Sequence, residues 1–302
     1  MADWYYASFL GATLFAVIAV LDKRLVGHLF PSFRVFIITF GLLQFQRSGV
    51  LFIIAFLTTG LEGGSGILWA AASGVFWAVG MSLYFCGLSM EEVSRIAPMQ
   101  AITPVFTVII AVLLFGEEMT PTQWGGMLTV VAGVVLINLR PEGGRIRFVR
   151  RKTFVVLLAS AACLAWGFIT TDEATERMNA MSTEAFRTLV KGASILALTW
   201  RPRHTPLVLR TLRSPRVAGA MLFNEGILAL VAMLTFAYAL SAGPVALVST
   251  IFSAWPLGVL VLSTILSTPL WNVLGEPLDR RTLGMKAAAT ALIVAGIAAI
   301  GI

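Results

Sequence analysis

Cysteine and histidine are almost missing from this chain. Its 302 residues include two cysteines and two histidines. Cys86 and Cys163 sit inside apolar runs with no CxxC or Cys/His spacing around them, so they read as packing thiols rather than as a disulfide or metal framework. His28 and His204 both fall in basic loops, which leaves no HExxH or other His-rich metal centre to assemble. GxSxG, the phosphate-binding GxxxxGK[ST] and an Asp pair within one apolar run are missing as well. These gaps argue against an enzyme and against a chain that hydrolyses ATP by itself, and nothing calls for a cofactor or a metal. Charge is also scarce: 12% of residues are charged and 58% are hydrophobic, with a mean hydropathy of +0.89. One soluble core could not hide that much apolar surface, so the chain reads as a multi-pass membrane protein.

What is present is a series of apolar runs. A span needs about 20 apolar residues, and ten stretches meet that need: 5–22, 35–58, 67–89, 94–115, 121–139, 153–171, 184–200, 217–240, 244–272 and 281–302. The breaks carry turn chemistry or charge, as in TTGLEGGSG and RPEGGRIRFVRRK. MADWYY has no basic n-region or cleavage site before the first run, so the first span is expected to be retained.

Comparing the halves reveals a duplication. A shift of 152 places Leu88-Ser89 on Leu240-Ser241 and Pro104 on Pro256. Gly116-Glu117 recurs as Gly275-Glu276, Phe33-Arg34 as Phe186-Arg187, and VVAGVVLI at 130–137 as IVAGIAAI at 293–300. Two five-span repeats follow, over 1–140 and 153–302, joined by a basic loop at 141–152. An odd number of spans per repeat forces opposite orientations, the inverted symmetry of many secondary transporters. The expected fold is therefore an all-α integral membrane protein of ten transmembrane helices in two inverted five-helix repeats.

The net charge of +7 would suggest nucleic acid for a soluble protein. Here nearly all of the 22 Lys and Arg fall at odd-numbered loops, with Arg177, Arg187 and Lys191 on the even side and Arg47 inside span two. The basic residues thus act as topology signals, and no nucleic-acid partner is expected. Short cytoplasmic loops attract Lys and Arg, which puts the odd loops in the cytoplasm of a cell (inner) membrane and both termini outside.

The stretch PMQAITPVFTVIIAVLLFGEEMTPTQWGGMLTVVAGVVLINL (98–139), with its proline-bearing span, Gly-Glu turn and Trp-Gly-Gly, resembles the end of an EamA-type repeat of the drug/metabolite transporter superfamily. SAGPVALVSTIFSAWPLG (241–258) followed by LGEPLDRRTLG (274–284) is similar to a second copy, and Trp166-Gly167 resembles the Trp-Gly of a repeat's first span. The resemblance implies a ten-helix fold around a central cavity, with spans five and ten at the periphery, and transport of small organic molecules. Span one departs from it, with Phe15-Ala16 where Trp-Gly stands in span six, and span nine is longer by about seven residues.

Polar residues inside the spans mark the candidate site. Glu225, in MLFNEGILAL, follows Arg216 by nine positions, which places it roughly 13 Å deep, near the middle of a core about 30 Å thick. A charged carboxylate there costs roughly 3 kcal/mol without partners. It suits a proton-coupling group or a partner for a substrate ammonium; the structural alternative is a neutral Glu bonded to a neighbouring helix. Asn224 lies beside it. Arg47, flanked by Gln44 and Gln46, is also near mid-depth and requires an anion, carbonyls or water. It pairs with Glu225, or takes a substrate carboxylate opposite it, unless Gly49 breaks the helix and moves Arg47 to an interface. Trp77, Tyr84, Trp166, Tyr238 and Trp255 are candidates for stacking on substrate, with helix packing as the alternative. Gln100, between Pro98 and Pro104, is a polar liner beside a flexible helix. Glu117-Glu118 and Glu276, in the Gly-Glu turns, read as solvated or helix-capping carboxylates, with a gate ion pair as the alternative.

Channels need filter-like repeats, which are not visible, and a scaffold has no use for buried Arg47 and Glu225. The sequence therefore points to secondary transport by alternating access, export of small metabolites such as amino acids, with a proton as the coupling ion. Facilitated exchange of anionic metabolites and efflux of organic cations are the alternatives within transport, and a membrane scaffold the one outside it. The lipid bilayer and a small-molecule substrate are the expected partners. Small-residue spacings such as Gly125 to Gly133 and Ala287 to Gly296 suit close helix approach and homodimerisation through spans five and ten.

Overall fold

A backbone in hydrocarbon has to satisfy its own N–H and C=O groups, and the apolar runs accordingly become helices. The computed structural model describes residues 3–116, 118–142, 145–148, 151–243, 248, 251–252, 254–271 and 273–300. Its first half contains α1 (Asp3–Arg24), α2 (Phe33–Thr58), α3 (Gly66–Met90), α4 (Val93–Gln100), α5 (Thr103–Ile110) and α6 (Pro121–Ile137). The second contains α7 (Arg151–Thr175), α8 (Ala180–Thr199), a short α9 (Thr205–Leu212), α10 (Pro215–Met221), α11 (Ala229–Ala242), α12 (Trp255–Leu266) and α13 (Arg280–Ile300). Wider π turns continue α1 over Leu25–Leu29 and α5 over Ala111–Phe115, and link α10 to α11 over Leu222–Leu228. Among the described residues, seven helical stretches are long and apolar enough to cross a membrane: Asp3–Leu29, Phe33–Thr58, Gly66–Met90, Val93–Leu114, Arg151–Thr175, Pro215–Phe236 and Arg280–Ile300. The apolar α6 and α12 are shorter, and α8 carries Glu184, Arg187 and Lys191.

Three sequence expectations change, and one alternative is set aside. The connecting loop is not wholly irregular: Leu139–Glu142 and Arg145–Phe148 form a small antiparallel hairpin, the sole departure from helix among the described elements. Helix α2 runs through Gly49 without a break, so Arg47 stays at mid-helix depth. Span four does break: Pro98 and Pro104 bracket a tight turn in which Ala101 N–H bonds Pro98 O at 3.1 Å and Ile102 N–H bonds Met99 O at 3.2 Å. Span nine is not longer, because α12 ends at Leu266 and Val273 N–H folds back onto the Leu266 carbonyl at 2.7 Å. Part of the second motif, at 244–247, 249–250 and 253, and Glu117 of the first lie outside the described residues.

The duplicated residues recur in matching places. Pro104 and Pro256 each stand at the start of a helix, α5 and α12, where a missing N–H costs nothing. Gly116 and Gly275 have φ of +70° and +66° in the two Gly-Glu turns, a backbone conformation that disfavours any Cβ. The closest helix pairs are α2 with α8, α3 with α7 and α6 with α13, while α1 packs on α11 and α12.

Small residues set the α6–α13 distance. A Cβ on Gly126 would lie 2.7 Å from the Gly296 carbonyl, and one on Gly296 would lie 2.7 Å from the Gly126 carbonyl. Backbone against backbone cannot yield as a flexible side chain can. Gly126→Leu is therefore expected to destabilise the protein by about 1–3 kcal/mol, the usual range for overpacking. A thermal melt in detergent checks this, and a wild-type melting temperature would contradict the close crossing.

Candidate functional site

The π turn between α10 and α11 carries Asn224 and Glu225. Its Ala229 N–H reaches back five residues to the Asn224 carbonyl, and such widened turns cluster at functional sites. Leu222 and Phe223 point outward, whereas Asn224 and Glu225 are buried. Facing them is Asp22 of α1, at the end of the first apolar run and 4% exposed. Asn224 Nδ2 donates to Asp22 Oδ1 at 2.8 Å and lies 3.5 Å from Glu225 Oε1. The Asn224 amide thus links the two acidic side chains. Two acidic groups sharing a dry site repel each other when both are ionised, so a donor between them matters. Tyr84 of α3, fully buried, faces the pair.

A cationic cluster lies beside this acidic pair. Helix α8 repeats polar residues at Glu184, Arg187, Thr188 and Lys191, spacings that put them on one face. Arg187 Nη2 pairs with Glu184 Oε2, and Thr188 Oγ1 donates to Glu184 Oε1 at 3.3 Å. The Arg187 guanidinium stacks 4.8 Å over the Trp77 ring. Arg47 approaches from α2, within electrostatic reach of Glu184, Glu225 and Arg187, and Lys191 reaches the same groups. The expected ion pair between Arg47 and Glu225 is not closed. Arg47 Nη2 donates instead to Met233 Sδ at 3.2 Å, and its Nε is buried without a partner. Gln44 is 1% exposed with Oε1 unpartnered, and its Cβ packs on Gly192. Arg187 and Lys191, read from the sequence as loop-side charges, thus belong to the interior.

With this geometry in view, relatives decide the class. The family model described as "EamA-like transporter family" matches residues 3–139 and 152–302. The chain belongs to the EamA-like transporter family. That family is part of the drug/metabolite transporter superfamily. A curated protein of a Sinorhizobium species, named an uncharacterized transporter in the cobO 3′ region, is 26% identical over 135 residues, covering 45% of this chain and 96% of that protein. A solved crystal structure of a protein matches in fold, with a TM-score of 0.52 at 20% identity over 99% of this chain and 96% of the other.

In this EamA-like transporter the remaining candidates separate into two groups. Gln100 is 9% exposed at the end of α4; its Nε2 donates to Ser160 Oγ at 2.9 Å and its Oε1 is unpartnered. Tyr84 is buried by the acidic pair. The other aromatics are not free stacking platforms. Trp77 is covered by Arg187 and has Phe168 at its edge. Trp166 stacks on Phe76 at 5.9 Å, Trp255 packs against the core, and Tyr238 is 52% exposed on α11.

A buried ionic cluster, the seal, joins the turn before α4, the second Gly-Glu turn and α13. Lys286 of α13 is 1% exposed; its Nζ lies 2.7 Å from Glu92 Oε2 and 3.1 Å from Glu276 Oε2, and donates to Ser94 Oγ at 2.7 Å. Glu276 in turn accepts from Ser94 Oγ and, at 3.4 Å, from Ser94 N–H. Lys23 of α1 donates to the Leu88 and Glu91 carbonyls, both at 2.7 Å. Arg95 meets Glu92 at 3.1 Å and the Ile137 carbonyl at 2.6 Å. Glu276 is 8% exposed, so it is not the solvated turn carboxylate expected from its Gly-Glu motif. Its contacts are those of a buried ion pair with Lys286.

Proposed function

We propose that this EamA-like transporter is a secondary exporter that exchanges protons for small metabolites such as amino acids by alternating access. The observation that carries the reading is the buried Asp22–Asn224–Glu225 constellation, two carboxyls on one amide in the middle of a membrane protein. Such a pair releases a proton when a cation replaces it, and an amino acid's ammonium is such a cation. Proton and substrate then compete for one site, so inward proton flow drives substrate outward. Arg47 is the partner proposed for the substrate carboxylate, with Gln44 and Gln100 as polar neighbours and Tyr84 beside the acid pair.

The scaffold proposed for this cycle is ten spans in two inverted repeats, 1–140 and 153–302, with odd loops cytoplasmic and both termini outside the inner membrane. Three features support it: the matched Pro104 and Pro256, the matched turns at Gly116 and Gly275, and the pairing of α1 with α11 alongside α7 with α3. The halves differ at the site. Ser73, the counterpart of Glu225, bonds Thr171 Oγ1 at 2.7 Å where Glu225 meets a carboxyl. Dimerisation through spans five and ten would use the outer faces of α6 and α13, because Gly126, Gly133 and Gly296 face the partner helix within the chain.

Proteoliposome flux of an amino-acid panel, together with organic cations, tests the proposal. Efflux of at least one amino acid should accelerate when the opposite compartment is made acidic. Flux that ignores the pH gradient would overturn proton exchange.

A further inference from the structure

Two arginines line a cavity that the proposed exchange does not use. Helix α1 runs antiparallel to the segment α10–α11. Asp22 meets Asn224, a Cβ on Gly11 would lie 3.8 Å from the Phe236 nitrogen, and one on Gly243 would lie 2.6 Å from the Trp4 ring. The end of α1 and the start of α10 therefore share one end of the molecule, and Arg24 and Arg216 stand there. Both line a cavity of about 270 Å³ between the two helices. The rest of its lining is apolar: Leu21, Leu25, Leu29, Ala220 and Phe223.

Leu21, Leu25 and Leu29 recur every fourth residue, so they form one stripe along the helix. Phe223, seven residues after Arg216, stands roughly 10 Å farther along α10 by helical rise. It is 52% exposed, so the cavity opens on the surface that faces hydrocarbon. Among the described residues no carboxylate is in ion-pair contact with Arg24 or Arg216. Asp22, the nearest acidic residue in the chain, turns inward to Asn224. The surroundings are basic as well: residues 200–216 contain five arginines and no Asp or Glu. All five are exposed, and so are Leu207 and Leu209 of α9, whose Val208 and Thr211 are buried. A helix that shows leucines and arginines together suits the membrane interface. A soluble anion would gain nothing from the leucine stripe, and a neutral lipid nothing from two unpaired guanidinium groups.

We propose that this cavity binds an anionic phospholipid, with its phosphate on Arg24 and Arg216 and the start of an acyl chain along Leu21, Leu25 and Phe223. A guanidinium presents paired N–H donors that match phosphate oxygens, and basic pockets between spans take anionic headgroups by this chemistry. Leu21 and Phe223 immediately precede Asp22 and Asn224 in the chain. The lipid therefore braces α1 against α10 beside the crossing that joins those two residues.

Native mass spectrometry of the full-length protein in neutral detergent, with phosphatidylglycerol or phosphatidylcholine of the same chains, tests the proposal. Wild type should retain one phosphatidylglycerol in preference to phosphatidylcholine, and its melting temperature should rise with the first lipid only. Arg24→Gln and Arg216→Gln should each weaken phosphatidylglycerol binding about fivefold, and the double variant about thirtyfold. The double variant Arg203→Gln/Arg210→Gln, outside the cavity, should leave that binding in place. Equal retention of the two lipids by wild type overturns the inference without recourse to any variant. Unchanged binding in the Arg24/Arg216 double variant also overturns it, as does an equal loss in the Arg203/Arg210 variant, which would mean diffuse surface charge. Thermal protection by inorganic phosphate that matches phosphatidylglycerol would assign the arginines to a soluble anion and overturn the lipid site.

Discussion

Glu225→Gln is expected to abolish the pH-driven part of transport while the protein folds as before. Glutamine keeps the size of the side chain and a carbonyl oxygen for Asn224 Nδ2, now 3.5 Å from Glu225 Oε1, but it cannot carry a dissociable proton. Gradient-driven flux should fall roughly a hundredfold or more, the scale on which positioned proton-transfer groups act. Melting temperature should stay level or rise, since a buried carboxylate costs free energy that an amide does not. Asp22→Asn should behave alike. Because the two carboxyls sit on the one Asn224 amide, the double variant should be no worse than either single one, the non-additivity of residues that act as a unit. Additive losses would mean two separate sites, and a Glu225→Gln protein with intact gradient response would remove Glu225 from coupling.

Lys286→Met carries the largest expected loss of stability. The substitution leaves Glu92 and Glu276 without the ammonium that lies 2.7 and 3.1 Å from them. Removing one partner of a buried ion pair typically costs about 3–5 kcal/mol, most of it from the charge left behind. The loss should be largely recovered by adding Glu276→Gln, which removes the stranded carboxylate while Glu92 keeps Arg95, and leaves an amide able to accept from Ser94. Thermal melts of both variants in detergent decide the matter. A Lys286→Met protein as stable as wild type would show that the seal is not held by charge. Where the protein survives, loosening the seal should also expose the odd-loop end, read as faster labelling of a cysteine placed at Ser267.

The spans were legible because hydrophobicity and turn chemistry are local properties. Helix limits fall close to the apolar runs, and the repeated Pro104/Pro256 and Gly116/Gly275 pairs mark equivalent structural positions. The acidic pair was only half legible. Glu225 stood out inside an apolar run, whereas Asp22, the last residue of the first run and next to Lys23-Arg24, was not singled out; only the docking of α1 on the π turn brings it to Asn224. A hint was available, since an acidic residue on the apolar side of a basic pair is unexpected. Lys191 and Arg187 were misplaced for a related reason. Charges near a span end look like topology signals until the α2–α8 crossing turns their face inward. Glu276 and Lys286 are ten residues apart, and each looks like an ordinary loop or helix-end charge until α4 brings Glu92 and Ser94 between them. Span nine misled through composition: the apolar residues after Leu266 form turns rather than helix.

The most direct test of the central claim is the lumenal pH of proteoliposomes containing the wild-type protein, followed with a trapped dye while a transported amino acid is applied outside. Exchange through Asp22–Glu225 predicts that each substrate molecule entering drives protons out, so the lumen becomes alkaline at a rate proportional to flux. Substrate entry with no change in lumenal pH, or with acidification, would contradict it.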